Sequence, residues 1–382
     1  MLGVSWPQAL AWRAERQLLV SPLPDVVEVA RQLAGVQAQV ASSAEQAVWL
    51  RSGLAPTVTR SALWEERKLV KTWAMRGTLH WLPADEYPMW TVALRDKERN
   101  LKRGAAWERY HGMSYAQLLA ITDAVAEIVG ATPLNRQELA SQLSDHTGDP
   151  ALGQAVRSSF GGSVLKTAAA EGSLCFGPDR GRNVTFVDPK RWIPGRWSEP
   201  SAEEARACVV RRFLDACGPA TAADLARWWG VPPAEGKRLL RGVGEEAEEV
   251  ELDGERAWVL TDSIDSLAAA SPLKGHVRLL PGFDTYVLSP HSHRRHAWPE
   301  GRHDRISRAA GWITPTVLVD GRIAAVWQPE RCAGKVSIQI EPLSKLSSRL
   351  RSGIVEAALA YQTPLGAEVT VGWVERIGTQ KG

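Results

Sequence analysis

The stretch GVQAQ at 35–39 sets two uncharged amides, Gln37 and Gln39, on either side of one alanine. The spacing limits what they can do together. On a helix, residues i and i+2 point roughly 200° apart and cannot serve one site. On an extended chain they share a face. Gly35 is placed to stop the preceding helical segment, and Ser42 with Glu45 is spaced as a capping box that starts the next. Residues 36–40 are therefore expected to form an extended connection. Val36, Ala38 and Val40 would face the core, with the two amides side by side on a concave surface.

A side-chain amide offers one acceptor oxygen, two N–H donors and no charge. Such a pair makes a poor general base. It can orient a water and set carbonyl oxygens against developing positive charge. That suits a reaction whose leaving group is already activated, and N7-alkylated guanine is one such group. The base carries a positive charge and its glycosidic bond is weak, so an enzyme need only position water and support an oxocarbenium-like sugar. The competing reading is that the amides satisfy backbone groups at the turn, and the residues alone leave both readings open.

The elements that must position this pair form a pattern that occurs three times. Its plainest copy begins with the helical run SAEEARACVVRRFLDA at 201–216, where Ser201 and Glu204 are spaced as a capping box. A short helix follows, capped by Thr221 and ending at Gly230, then another in PPAEGKRLLRGV. EEVELDGERAWVL closes the copy as a hairpin turning at Asp253-Gly254. Helix, helix, turn, helix, hairpin is the winged-helix pattern. A second copy runs from about 115 to 188. The first runs from about 7 to 83, and its hairpin KTWAMRGTLHWLP turns near Arg76-Gly77. Residues 84–112 add helix, and 189–200 read as a linker. After 272 the pattern changes: HVRLLPGFDTYVLS, WITPTVLVDGRIAAVWQ, KVSIQIEPL and AEVTVGWV read as strands, with a helix between the last two. The expected organisation is α+β, with winged helices in 1–112, 113–200 (linker included) and 201–271, and a strand-rich C-terminal portion at 272–382.

Bulk properties narrow the class. A chain of 382 residues exceeds one ordinary core. No apolar run is long enough to span a bilayer, and the N-terminus lacks a secretory pattern, so a cytoplasmic protein without membrane contact is expected. The four cysteines show no C-x-x-C spacing, which argues against a metal finger; Cys208 and Cys217 read as buried thiols. The net charge of +3 does not by itself announce a nucleic-acid partner. Its distribution says more. From Arg294 to Arg308 five arginines and two histidines face only Glu300 and Asp304; such a segment can follow a phosphate backbone, although charge alone favours a solvated loop.

GVQAQ at 35–39, KTWAMRGTLHWLPADEY at 71–87, LLPGFDTYVLSPHSHR at 279–294 and VLVDGRIAAVWQ at 317–328 together resemble the AlkZ family of bacterial winged-helix DNA glycosylases. The resemblance covers nearly the whole chain. It implies that Gln37 and Gln39 are the catalytic Q-x-Q motif, in the Q-x-Q rather than the Q-x-D subgroup. It further implies three tandem winged helices in a C-shaped molecule around a DNA channel. The activity it implies is excision of N7-alkylguanine adducts, including both sides of interstrand crosslinks. Some members protect a producing organism from its own crosslinking natural product, and the Ala/Arg/Gly-rich, Lys-poor composition fits a high-GC actinobacterial source.

A crosslinked base is tied to the other strand and cannot be flipped into a closed pocket, so an open site with a prising hairpin or loop is expected. The stretch HSHRRHAWPEGRHDRISRAAGW is the candidate, with Arg294, Arg295, Arg302, Arg305 and Arg308 as DNA-binding residues, joined by Arg76 of the first wing. His80 reads as a packing or structural hydrogen-bonding residue. Asp284 and Tyr286 read either as part of the family pattern or as a buried polar pair. His291, His293, His296 and His303 lack the carboxylate or cysteine that would complete a familiar metal set. No singular lysine marks Schiff-base chemistry, and Walker A, H-E-x-x-H and nucleophile-elbow motifs are absent. The expectation is a monomeric, monofunctional glycosylase acting on duplex DNA without metal or other cofactor. The alternative is a non-catalytic winged-helix regulator.

Overall fold

The structure is a computed structural model, and it describes residues 1–376 other than 102, 289 and 333. The chain divides into two compact units. One comprises 60–209 and the other joins 1–59 to 210–382. The division cuts across the four consecutive segments expected from the sequence pattern.

In the 60–209 unit the hairpin Leu69–Trp73 and Leu79–Pro83 turns through Arg76 and Gly77, both at positive φ (55° and 67°). All five residues of Leu69–Trp73 are buried, because both faces of this strand are covered. The strand also pairs with Cys175–Arg180 at Lys71 and Phe176, and that strand pairs in turn with Asn183–Val187. The hairpins of the first and second sequence copies thus share one sheet. Helices Tyr115–Ile128 and Arg136–Thr147 each begin with a complete capping box, Ser114 with Gln117 and Asn135 with Glu138. Their apolar stripes meet the sheet through Leu118, Ile121, Leu139, Leu143, Phe176 and Phe186. Gly153, in the helix Pro150–Ser158, lets the two helices approach so closely that a Cβ there would run into the Ala140 carbonyl oxygen.

In the other unit, helices Ala222–Trp229 and Pro233–Gly242 lead into the hairpin Ala247–Leu252 and Glu255–Leu260. Thr221 and Asp224 cap the first helix reciprocally, Gly230 stops it at φ 79°, and Asp253-Gly254 turns the hairpin, as their sequence signals require. Ser201, which the division assigns to the 60–209 unit, accepts from the Glu204 amide at 3.1 Å. Gly3–Val4 adds a parallel third strand beside Ala247–Leu252, which the sequence pattern gave no sign of. A five-stranded sheet runs Val277–Leu280, Thr316–Val319, Arg322–Cys332, Lys335–Pro342, Val369–Trp373, antiparallel until its last, parallel pair. The helix Ser348–Leu359 covers it with Ile354 and Ala358.

Two expectations are corrected. The strand expected across 276–289 ends at Leu280. Phe283 takes φ 60°, and Thr285–Leu288 is a helical turn begun by the Asp284 carboxylate, which accepts the Tyr286 amide at 2.9 Å. Of the two thiols expected to be buried, Cys217 is buried and Cys208 is only half-buried; Cys175, Cys208 and Cys217 are free. Among the described residues no helix is long and apolar enough to cross a membrane.

Candidate active site

The connection that carries the two glutamines is built by its flanking helices. Asp25 caps Val26–Gln32, accepting the Val27 and Glu28 amides at 2.8 and 3.1 Å. Ala34 and Gly35, at φ 53° and 98°, end that helix, and the Gly35 amide returns to the Ala30 carbonyl at 2.8 Å. Val36–Gln37 is then extended, as is Val40. The helix Ala41–Ser52 begins with Val40 as N-cap and no side-chain cap. The expected Ser42–Glu45 capping box therefore does not form. Ser42 already lies in the first turn, and a capping residue must itself be extended.

Val36 and Ala38 are buried, as expected. The glutamines differ: Gln37 is 7% exposed, whereas Gln39 is open to solvent. No described group donates to the buried Oε1 of Gln37. Burying an amide oxygen without a donor costs about 1–3 kcal/mol, so this position is chemically marked.

The support behind the connection is dense. Val40 packs into a cluster that includes Leu280, Phe283, Tyr286, Ile306 and Ile313. Arg51, at the end of Ala41–Ser52, holds Asp284 through two bonds of 2.8 Å, and neither side chain has any exposure. Arg51 also donates to the carbonyls of Gln17 and Ala47. The Tyr286 hydroxyl donates to Gly321 O at 2.9 Å, and the Arg13 guanidinium lies 3.8 Å from the centre of its ring. Asp284 and Tyr286 are thus buried scaffold groups. At Gly282 the elements converge, since a Cβ there would lie 3.0 Å from Ile313 O and 3.5 Å from Ser43 Oγ. The helix that follows the glutamines is in this way tied to the end of the basic stretch.

That stretch is short helical turns, Arg294–Ala297 and His303–Ile306, followed by a tight loop in which Ser307 bridges Ile313. Its arginines separate by role. Arg305 is buried and paired with Glu341, one bond measuring 2.9 Å; its charge is already balanced, which withdraws it from the expected DNA-binding set. Arg295 is exposed and meets Glu255 at 2.6 Å. Arg294 donates to Leu288 O and lies over Trp298, 4.6 Å from the ring centre. Arg302 is exposed. Arg308 is half-buried, and its Nε and Nη2 have no hydrogen-bond partner among the described residues. Burial, then the charge of Arg305, holds its pKa below the usual arginine value. Arg76 is exposed at the turn of the Leu69–Pro83 hairpin, in the other unit.

The histidines do not form a metal set, and among the described residues no cluster of three metal-ligating side chains occurs. His293 is buried. Its Nδ1 accepts from Arg13 at 2.6 Å, and its Nε2 donates to Pro219 O at 2.7 Å. Burial, reinforced by Arg13, lowers its pKa to about 3. His296 stacks on Trp6 with ring centres 3.9 Å apart. His80 is buried with Nδ1 2.9 Å from Thr78 O, and burial lowers its pKa to about 3.

Sequence reading passed over Arg13, Arg51 and Trp312. Arg51 carried a signal: it follows Ala44, Ala47 and Val48 on the buried face of its helix, and a charge there requires a partner. Trp312 is 42% exposed at the 307–313 loop, edge-on to Phe283 at 5.1 Å.

An α+β chain with a buried, undonated amide oxygen, and with the helix after it tied to a basic loop, fits an enzyme working on a polyanion. Comparison with known proteins makes this specific. The family model described as "DNA glycosylase AlkZ-like" matches residues 30–363, and the chain belongs to that family of hydrolases acting on N-glycosyl bonds. It is similar to a protein of Streptomyces sahachiroi named interstrand DNA cross-link repair glycosylase, at 37% identity over 332 residues, 86% of this chain and 88% of the relative. The solved structure of Streptomyces sahachiroi DNA glycosylase AlkZ aligns with a TM-score of 0.87 and 34% identity, covering 98% of this chain and all of the other.

Proposed function

We propose that this chain is a monofunctional glycosylase that hydrolyses the N-glycosidic bond of N7-alkylated guanine in duplex DNA, interstrand crosslinks included. The observation that carries the reading is the buried Gln37 Oε1, an acceptor with no described donor. A water attacks C1′ as the C1′–N9 bond breaks. The bonding pair neutralises the alkylated base, which leaves uncharged, and the water gives its proton to solvent. Gln37 and Gln39 hold that water or face the cationic sugar with their oxygens, and no general base is required because the leaving group is pre-activated.

Duplex DNA would be held by Arg76, Arg294, Arg295, Arg302 and Arg308, and the loop 307–313 would prise the lesion. The helix–helix–hairpin order at 202–260 supports a winged helix there, and we extend that reading to 1–112 and 113–200, with 272–382 as the added strand-rich portion. The crosslink repair named for the Streptomyces sahachiroi relative supports crosslinks as substrates. Action as a monomer, a cytoplasmic location and self-resistance to a crosslinking natural product complete the proposal. The family membership disfavours the regulator alternative.

The test is incubation with a duplex carrying one N7-methylguanine, and with a duplex carrying one N7–N7 crosslink. Abasic sites are read by alkaline cleavage. Release from either substrate well above the spontaneous rate is expected. Sequence-selective binding of unmodified DNA, with no release from either, would favour the regulator.

A further inference from the structure

A cleft of about 370 Å³ lies beside the helix Ala222–Trp229, walled by that helix and by residues 291–303. Its charged lining is Arg227, Arg294, Arg295, His291, His303 and Asp224. Asp224 cannot serve as a cation ligand. It is buried, and its oxygens accept from the Ser292 amide and hydroxyl at 3.0 and 2.7 Å and from the Thr221 amide and hydroxyl at 3.1 and 2.7 Å. Those bonds engage both oxygens and tie Ser292 to the helix cap. Arg227 is exposed and, among the described residues, makes no ion pair; the neighbouring carboxylate, Asp224, is bonded to Ser292 and Thr221. Arg294 is braced by Leu288 O and Trp298, and Arg295 meets only the exposed Glu255. Burial and then the positive charges of Arg227 and Arg294, partly offset by Asp224, lower the His291 pKa.

We infer that this cleft seats a backbone phosphate of duplex DNA, with Arg227 as the principal contact and Arg294 and Arg295 beside it. Guanidinium groups bind phosphate oxygens in bidentate fashion, and a concave basic wall fixes the register of the strand without reading its sequence. The inference rests on the glycosylase reading and adds to it a contact that the basic stretch alone did not reveal, because Arg227 lies 64 residues or more before the other residues of the basic wall. The cleft lies within one compact unit.

The experiment is a titration of undamaged duplex across a salt series for the full chain, Arg227→Ala and Glu255→Gln. Arg227→Ala should weaken binding of damaged and undamaged duplexes alike, and should lower the slope of log K against log salt by about one. Glu255→Gln removes the carboxylate that competes for Arg295 and should tighten binding, a direction that misfolding cannot produce. If the wild type shows no salt-dependent duplex binding, the glycosylase reading itself fails. If the wild type binds with a steep slope but neither variant changes it, the cleft assignment is overturned and the glycosylase reading stands. Inorganic phosphate is titrated in parallel by calorimetry. Phosphate bound by the wild type and lost in Arg227→Ala, with the duplex slope unmoved, would give the cleft to a free anion and overturn the proposal.

Discussion

The scaffold around Asp284 and the connection around Gln37 lie in the same compact unit and treat polar atoms in opposite ways. At Asp284 every oxygen is engaged: two bonds from Arg51 and one from the Tyr286 amide, with both ion-pair partners fully buried. At Gln37 an equally secluded oxygen has no described donor. A fully matched network holds one geometry, because breaking any member leaves a buried charge or dipole stranded. In the proposed function the unmatched acceptor of Gln37 is the atom that meets the attacking water or the cationic sugar. In that proposal the contrast separates residues that shape the site from those that act in it.

The comparison can be broken most forcefully at Arg51. Arg51→Ala strands the Asp284 carboxylate in the core and should cost about 3–5 kcal/mol of stability in chemical denaturation. A loss under 1 kcal/mol would mean that the pair is not the brace described. On the other side, Gln37→Ala should lower single-turnover base release by about 100- to 1,000-fold, the range seen when one preorganised polar contact to a transition state is removed. Its denaturation midpoint should stay at or above the wild-type value, since an undonated buried acceptor is removed. Gly153→Ala probes the packing of the other unit. Its Cβ meets the Ala140 carbonyl oxygen, and the overpacking should cost about 1–3 kcal/mol without altering Gln37.

A pH dependence is shared by both units. His293 and His80 are held neutral with pKa values of about 3, below the usual 6.5. A histidine depressed in the folded state takes up its proton more readily when unfolded, so its contribution to stability is complete above about pH 6.5. It is lost progressively as pH falls from about 6.5 towards 3. The thermal midpoint should therefore decline between pH 7 and pH 5, and His293→Gln should make that decline shallower. An unchanged decline would remove His293 from the cause.

Local signals in the sequence were reliable where one short segment decides the outcome. Thr221 as a cap, Gly230 and Asp253-Gly254 each do what their residue types require, and the first hairpin turns near Arg76-Gly77 as expected, although Arg76 takes a positive φ there. Ser42 misled because capping depends on which residue is still extended, and the chain makes Val40 that residue. Long-range pairing left no local trace: Arg51 meets Asp284 across 233 positions, and Gly3–Val4 joins a strand some 248 residues later. Lys71 paired with Phe176 likewise places two sequence copies in one sheet, which periodicity along the chain does not encode. The extended start of the connection, Val36–Gln37, was legible, but the bend at Gln39 and the unequal burial of the two amides were not. Charge density singled out the arginines of 294–308 together, and only the fold separated Arg305, paired with Glu341, from Arg308.

The most direct test is base release from a duplex with one N7-methylguanine under single-turnover conditions at saturating enzyme, for wild type and Gln37→Ala, with duplex affinity measured on the same samples. The account predicts that Gln37→Ala binds the duplex as wild type does and releases the base about 100- to 1,000-fold more slowly. Release at the wild-type rate from Gln37→Ala would contradict it and return Gln37 to a structural role at the turn.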